Sequence, residues 1–356
     1  MILQRYIGLN LVKGWLLALA VLSAIFGLLL FIEELDKVTD SYTATMAAHY
    51  AIRVLPNQLI GLAPVIALLG SIVALASMDR SNELTTISTS GFGRAQLIAA
   101  ITFPTLLLMG LLWLNMEYVT PQLQQAAEQD KLRQRHGDTA WIPRGGVWST
   151  DGNRYINLQK LSRDIEPGKI SLYEFDDDRR LLRTLRAESA RISSDRDWRF
   201  QQVREKVLVE GEFQNRNQDE LEVPNLWARN ELPTLTVQGD SMNLSVLYNY
   251  AQYLENTQQP AERYLHAFWQ KLMMPFTVLA MVLLATPVSA SATAGRDRSF
   301  GFNLGIGVIL GILFYLGAQI VFALGQLLGW NIPLVAALPA IITFAAGLLM
   351  FRRMRW

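Results

Sequence analysis

Long uncharged stretches alternate with charged ones along this chain. Four of them cover residues 14–32, 54–78, 95–116 and 272–295. A fifth, from Ser299 to Phe351, has no charged residue in 53 positions. As one helix it would be roughly 80 Å long, more than twice the thickness of the hydrocarbon core of a bilayer, so it must cross twice. The pattern therefore predicts six membrane-spanning helices, each satisfying its own backbone hydrogen bonds.

The polar middle of the chain has a different pattern. Residues 117–266 contain 44 of the 63 charged residues. Alternating apolar positions flank an Asp151–Gly152 turn, and similar strand patterns follow at spacings of 8 to 12 residues, which is typical of an all-β domain. The spacing in residues 243–255 is helical instead. We therefore predict spans 1–3 in residues 1–118, a β-domain ending in a short helix in 119–265, and spans 4–6 in 266–356.

Lysines and arginines in the short connections predict the orientation, because they are enriched on the cytoplasmic side. Only Lys37, Arg53 and Lys271 fall on the side that carries the β-domain. The opposite side has nine such residues: Arg5, Lys13, Arg80, Arg94, Arg296, Arg298, Arg352, Arg353 and Arg355. Both termini are therefore expected in the cytoplasm and the β-domain outside it.

Several kinds of chemistry are missing from the sequence. The chain has no cysteine, and a net charge of +1 gives no indication of nucleic acid binding. It has no P-loop, H-E-x-x-H or G-x-S-x-G motif, and its three histidines are far apart in the sequence. The composition thus favours a transport protein or a receptor over an enzyme, and we expect no bound metal or cofactor.

The connection between the second and third spans, from Met78 to Arg94, is short and charged. Ser81 is a plausible N-cap and Gly91 a plausible stop for a helix on which Leu84 and Ile87 share one face. Four β-branched residues in this stretch weaken the helix prediction. A short helix here could move only with the two spans that hold it, whereas a plain surface turn is the alternative interpretation.

Three stretches resemble one family. They are R-S-N-E-L-T-T-I-S-T-S-G-F-G-R at residues 80–94, R-Y-I at 5–7 and R-Y-L-H-A-F-W-Q-K-L-M-M-P at 263–275. Together with the layout of three spans, β-domain and three spans, they are similar to the LptF/LptG family of lipopolysaccharide-export ABC transporter permeases, over nearly all 356 residues. The resemblance implies a multi-pass protein of the bacterial inner membrane with a jelly-roll-like periplasmic domain.

The same resemblance implies partners. A sister permease (LptF-like) would pair with this chain, and a dimeric cytoplasmic ATPase (LptB-like) would bind the ATP and Mg²⁺. A periplasmic bridge (LptA-like) and a single-span regulator (LptC-like) would complete the system. The helix near residues 80–91 would couple to the ATPase through Arg80, Glu83, Leu84 and Ile87, with Glu83 as the polar contact.

The family also implies a lipid cavity entered between the first span of one permease and the fifth of the other. Here those spans contribute Phe26, Leu29, Leu30, Phe31, Leu304, Ile309, Ile312, Leu313, Tyr315 and Ile320. Lys37, with Lys131 and Arg133 as second choices, is the candidate contact for the phosphorylated head group. Glu33, Glu34 and Asp36 surround Lys37, so they either neutralise it or bind the divalent ions that link head groups.

Two other functions remain open on the sequence alone. One is a permease for lipoprotein or another lipid, and the other is a membrane receptor that senses a ligand through its external β-domain. An ATPase and a homologous permease that co-purify with the chain would support export, whereas a soluble kinase would support sensing.

Overall fold

A computed structural model describes residues 2–39, 42–136, 147–151, 153–161, 167–192, 197–209, 212–224, 226, 242–256, 259–291 and 300–353. Its helices are α1 (Ile2–Leu35), α2 (Ala44–Gly61), α3 (Ala63–Arg80), α4 (Glu83–Thr89), α5 (Arg94–Leu114), α6 (Thr120–His136), α7 (Leu244–Asn256), α8 (Glu262–Ser291), α9 (Phe300–Leu327) and α10 (Ile332–Arg353). Among the described residues, six helices are long and apolar enough to cross a membrane: α1, α3, α5 with its extension, α8, α9 and α10. The prediction of six spans is confirmed.

The second predicted span is not one straight helix. The uncharged stretch 54–78 begins inside α2 and continues in α3, and the two helices meet at Leu62. Pro64 in the first turn of α3 has no backbone N–H to donate to the preceding turn, which breaks the helical hydrogen-bond ladder. α2 packs beside α1 and α6, and α3 beside α1, α8 and α9.

The third span extends well past the uncharged stretch that predicts it. α5 passes through a π-helical turn, Asn115–Val119, into the polar helix α6. The predicted boundary between residues 118 and 119 thus lies inside one helical segment. Such π turns often occur at functional sites of helices.

The described residues of the β-domain form six antiparallel strands in one sheet, in the order β1 to β6. They are β1 (Val147–Asp151), β2 (Arg154–Leu161), β3 (Pro167–Phe175), β4 (Leu181–Ile192), β5 (Trp198–Val209) and β6 (Glu212–Val223). The predicted Asp-Gly hairpin joins β1 to β2, with Val147 opposite Leu158. Ile156, Leu158 and Leu172 are buried in one core with Trp198 and Phe200. The described strands pair only with their neighbours in sequence, so the jelly-roll topology is not confirmed.

Glycines allow a very close contact between α1 and α3. A Cβ on Gly14 of α1 would lie 2.1 Å from the carbonyl oxygen of Gly70 in α3, so only glycine fits at this crossing. Beside it, the indole Nε1 of Trp15 donates a hydrogen bond to Ser71 Oγ at 2.8 Å, and both side chains are buried. α1 and α3 are therefore joined backbone to backbone.

Candidate functional site

The connection between α3 and α5 contains the seven-residue helix α4. Ser81 Oγ donates hydrogen bonds to the carbonyl oxygens of Ser77 and Met78, so Ser81 ends α3 and does not start α4 as predicted. Asn82, with φ 59°, is the N-cap of α4 instead. Gly91 follows the helix with φ 88°, which glycine adopts without strain. The short helix and its glycine stop are confirmed.

The apolar face of α4 points into the bundle. Leu84 and Ile87 are 6% and 5% exposed and belong to the same core as Ile7 and Leu11 of α1. Within this chain the two residues therefore attach α4 to the spans. Arg80, at the end of α3, is exposed.

Glu83 begins α4 and contacts the first span. Its Oε2 accepts a hydrogen bond from the Tyr6 hydroxyl at 2.9 Å. The two side chains line a crevice of about 220 Å³ between α1 and α3, together with Asn10, Lys13 and Ser77. A carboxylate that lines such a crevice can pair with a basic side chain from another chain.

At the opposite end of α1, one buried carboxylate collects three donors. Glu34 is 2% exposed. Lys37 Nζ lies 3.1 Å from its Oε2, while Lys131 of α6 and the Tyr42 hydroxyl both bond Oε1. Lys37 also pairs with Glu33 at 3.1 Å. We call Glu34, Lys37, Tyr42 and Lys131 the Glu34 cluster, in which both lysines proposed for a lipid head group already have carboxylate partners.

The charges of the Glu34 cluster are stabilised by their surroundings. Partial burial by itself would lower the pKa of Lys37, but hydrogen bonds to Glu33 and Glu34 raise it above its usual value. The Lys131 ammonium lies 4.2 Å from the centre of the Tyr50 ring. Burial, and then the nearby Glu128 charge, raises the pKa of Tyr50 to about 12, so its hydroxyl stays protonated.

A polar cavity of about 180 Å³ opens beside this cluster, between α2 and α6. Its lining includes His49, Tyr50 and Lys131, and Arg53, which forms an ion pair with Asp130. The side chain of Arg133 lies outside the described residues. Its proposed contact with a head group stays a prediction.

The residues proposed for the cavity entrance lie on two helices that pack on different parts of α3. On α1, Leu29 is exposed and Phe26, Leu30 and Phe31 are partly buried. On α9, five are exposed and Leu304 is partly buried; the five are Ile309, Ile312, Leu313, Tyr315 and Ile320. Apolar faces of this size need lipid or another membrane protein to cover them.

Several members of these clusters were not predicted from the sequence. Tyr6 lies in the R-Y-I stretch, but nothing in the pattern pointed to Glu83 as its partner, which is 77 residues away. Tyr42 and Tyr50 gave no signal of their own, and Arg53 entered only as a topology marker. Their roles depend on how α1, α2 and α6 meet.

The model of the family described as "Lipopolysaccharide export system permease LptF/LptG" matches residues 5–353. The chain is 28% identical to the lipopolysaccharide export system permease protein LptG of Escherichia coli strain K12, over 99% of this chain and 98% of the relative. It is 26% identical to the LptG protein of Haemophilus influenzae, over 99% and 97%. The chain therefore belongs to the LptF/LptG family of lipopolysaccharide export system permeases.

Proposed function

We propose that this chain is the permease subunit of an ABC transporter that extracts lipopolysaccharide from the outer leaflet of the inner membrane. It passes the lipid to a periplasmic bridge that leads toward the outer membrane. The family match over residues 5–353 carries the proposal. The six membrane-length helices and relatives named as LptG permeases support it.

The energy source in this proposal is a separate subunit. The sequence has no P-loop, so an LptB-like dimeric ATPase binds ATP and Mg²⁺ and drives both this chain and an LptF-like sister permease. Both termini and α4 then lie in the cytoplasm and the sheet in the periplasm, in agreement with the lysine and arginine distribution. LptC-like and LptA-like proteins receive the lipid beyond the membrane.

The coupling contact is proposed at α4. Its apolar residues Leu84 and Ile87 are anchored in the bundle core, so a push on α4 must move the spans that hold it. The polar residues Arg80 and Glu83 are the proposed contacts with the ATPase. Because Leu84 and Ile87 are buried, their part in coupling is to transmit movement and not to touch the motor.

The lipid path is proposed to start between α1 and the fifth span of the sister permease. Transfer of each methylene into water costs about 0.8 kcal/mol, so the acyl chains need an apolar surface throughout. The exposed apolar faces of α1 and α9, and an apolar crevice of about 330 Å³ between α1 and α2 near Phe31, supply one.

The head group is proposed to bind at the Glu34 cluster. A phosphate there would compete with Glu34 for Lys37 and Lys131, whose ammonium groups lie on that carboxylate. Each lysine ammonium has three N–H donors, so it can bind a phosphate through one and keep a bond to the buried Glu34 through another. Arg133 stays a second choice, and so does a role of the neighbouring carboxylates in binding divalent ions.

The sheet is proposed to take over the acyl chains in the periplasm, and the jelly-roll topology stays a prediction. Ile156, Leu158 and Leu172 already fill the core of the sheet. They are therefore poor candidates for a lipid groove.

A photocrosslinking experiment tests the lipid path. A photoreactive residue at Leu29, 54% exposed on α1, should crosslink lipopolysaccharide in cells. The matched control is Phe103, 69% exposed on α5 and outside the proposed path. Equal labelling at both positions would show contact with bulk lipid only. Lipoprotein or phospholipid attached at Leu29 in place of lipopolysaccharide would identify a different cargo.

A substitution at α4 tests the coupling contact. Glu83→Ala should lower ATP-driven release of lipopolysaccharide from proteoliposomes at least about tenfold, the loss expected when a charge-assisted hydrogen bond is removed. Thr85→Ala, at an exposed position of the same helix, is the control. Normal release by the Glu83 variant would remove that residue from the coupling contact.

A further inference from the structure

We propose that Tyr6 is a positioning residue that links the motor contact on α4 to the first span, so that α1 moves together with α4. This inference rests on the proposed function and extends it. From the sequence, the motor's movement was expected to act on the second and third spans. The structure adds a direct bond from α4 to α1, the span at the proposed lipid entrance.

The first step is the geometry at Glu83. The Tyr6 hydroxyl holds Oε2 of the carboxylate at 2.9 Å. Within the described part of the chain, Oε1 has no hydrogen-bond partner and remains available for a cation. Without Tyr6 the side chain of Glu83, in the first turn of a short helix, would sample several rotamers and bind a partner less well. Tyr6 thus selects one orientation of the carboxylate.

The second step is that a movement at Tyr6 cannot be absorbed nearby. Two turns further along α1, a Cβ on Gly70 would lie 2.7 Å from the carbonyl oxygen of Gly14 and from the backbone of Trp15. The buried hydrogen bond from Trp15 to Ser71 also fixes the relative orientation of the two helices. The segment of α1 near α4 therefore packs tightly on α3, so a displacement that the Tyr6–Glu83 bond transmits to α1 is not lost by sliding between these two helices.

The third step is that α1 carries the movement across the whole bundle. It is one continuous helix, Ile2–Leu35, and Pro is absent from its sequence. Its far end is tied to α6 through Glu34 and Lys131. A displacement at Tyr6 is thus passed to Leu29 at the proposed entrance and to the Glu34 cluster.

The experiment uses the full complex of this chain, its sister permease and the ATPase in liposomes that contain lipopolysaccharide. The readout is the amount of lipopolysaccharide released per ATP hydrolysed. Tyr6→Phe, which loses only the hydroxyl, should lower this ratio about fivefold, and should have no further effect in a Glu83→Gln background. Tyr118→Phe, at a tyrosine that is 62% exposed in the π-helical turn after α5, is the matched control and should match the wild type.

A second readout does not depend on transport. The natural chain has no cysteine, so spin labels can be placed at Thr85 of α4 and Val21 of α1, both exposed. Their separation should stay constant through the nucleotide cycle in the wild type and change in Tyr6→Phe. Thermal unfolding midpoints will show that the variants are folded.

The outcomes separate this inference from the proposed function. A wild-type complex that hydrolyses ATP without releasing lipopolysaccharide overturns the proposed function. A working wild type overturns the inference alone if Tyr6→Phe keeps its release ratio within twofold, or if its effect persists in the Glu83→Gln background. The inference also fails if nucleotide changes the label separation equally in wild type and Tyr6→Phe.

Discussion

Replacing the buried carboxylate of the Glu34 cluster tests whether it holds the far end of α1 in place. In Glu34→Gln the amide can still accept the Tyr42 bond, but the negative charge shared by Lys37 and Lys131 is gone. Lys37 keeps Glu33 and has 36% of its side chain in solvent. Lys131, with 16% of its side chain exposed, loses the carboxylate of Glu34 as its ion-pair partner.

The magnitude follows from that difference between the two lysines. Removing one partner of a fully buried ion pair costs about 3–5 kcal/mol, mostly because the other charge stays desolvated. Lys131 is only partly buried and keeps its contact with the Tyr50 ring, which is worth about 0.5–2 kcal/mol. We therefore expect Glu34→Gln to destabilise the protein by about 2–3 kcal/mol.

Thermal unfolding of the purified complex in detergent measures this effect. Glu34→Gln should lower the midpoint by at least about 4 °C. The control is Glu33→Gln, which removes the other partner of Lys37 at a side chain that is 70% exposed and should cost less than about 1 kcal/mol. Adding Lys131→Met to Glu34→Gln should recover most of the loss. Equal shifts for Glu33→Gln and Glu34→Gln, or no recovery in the double variant, would refute the reasoning.

Two further predictions concern packing and charge elsewhere. Gly70→Ala should prevent folding or lower the stability by more than about 3 kcal/mol, because the new Cβ would overlap α1. Gly61→Ala, with nothing within 4 Å of the new Cβ, should change the stability by less than about 0.5 kcal/mol. Thermal unfolding midpoints in detergent measure both changes, and equal midpoints would contradict the packing argument. In the sheet, Arg183→Met should cost about 3 kcal/mol, because it leaves the buried carboxylate of Glu205 without this partner. Arg199→Met, at an exposed ion pair, should have a much smaller effect. Urea unfolding followed by tryptophan fluorescence compares the two, and equal losses would contradict the burial argument.

The candidate site could be predicted in part. The sequence predicted a short helix with a glycine stop in this connection, with a plain surface turn as the alternative, and the structure has the helix. It also assigned Leu84 and Ile87 to one face, since helical spacing determines which residues share a side. Helical spacing does not predict what that face contacts. In the structure it packs into the core of the bundle.

The paired state of the lysines was harder to predict. The carboxylates next to Lys37 were visible in the sequence, and a neutralised lysine was one of the alternatives. The contact of Lys131 with the same carboxylate was not visible, because it joins α6 to α1 across the bundle. The length of α6 beyond the uncharged stretch, which brings Lys131 there, was also missed.

By itself the sequence determined the six spans and the hairpins of the sheet, because a bilayer requires long uncharged helices and an Asp-Gly turn pairs the strands beside it. Only the tertiary structure decided that Tyr6 meets Glu83, that Gly14 meets Gly70 and that two lysines share Glu34. The physical reason is that hydrophobic and turn patterns act over neighbouring residues. A hydrogen bond or an ion pair between distant residues depends instead on how whole helices pack, and local sequence patterns do not predict that packing.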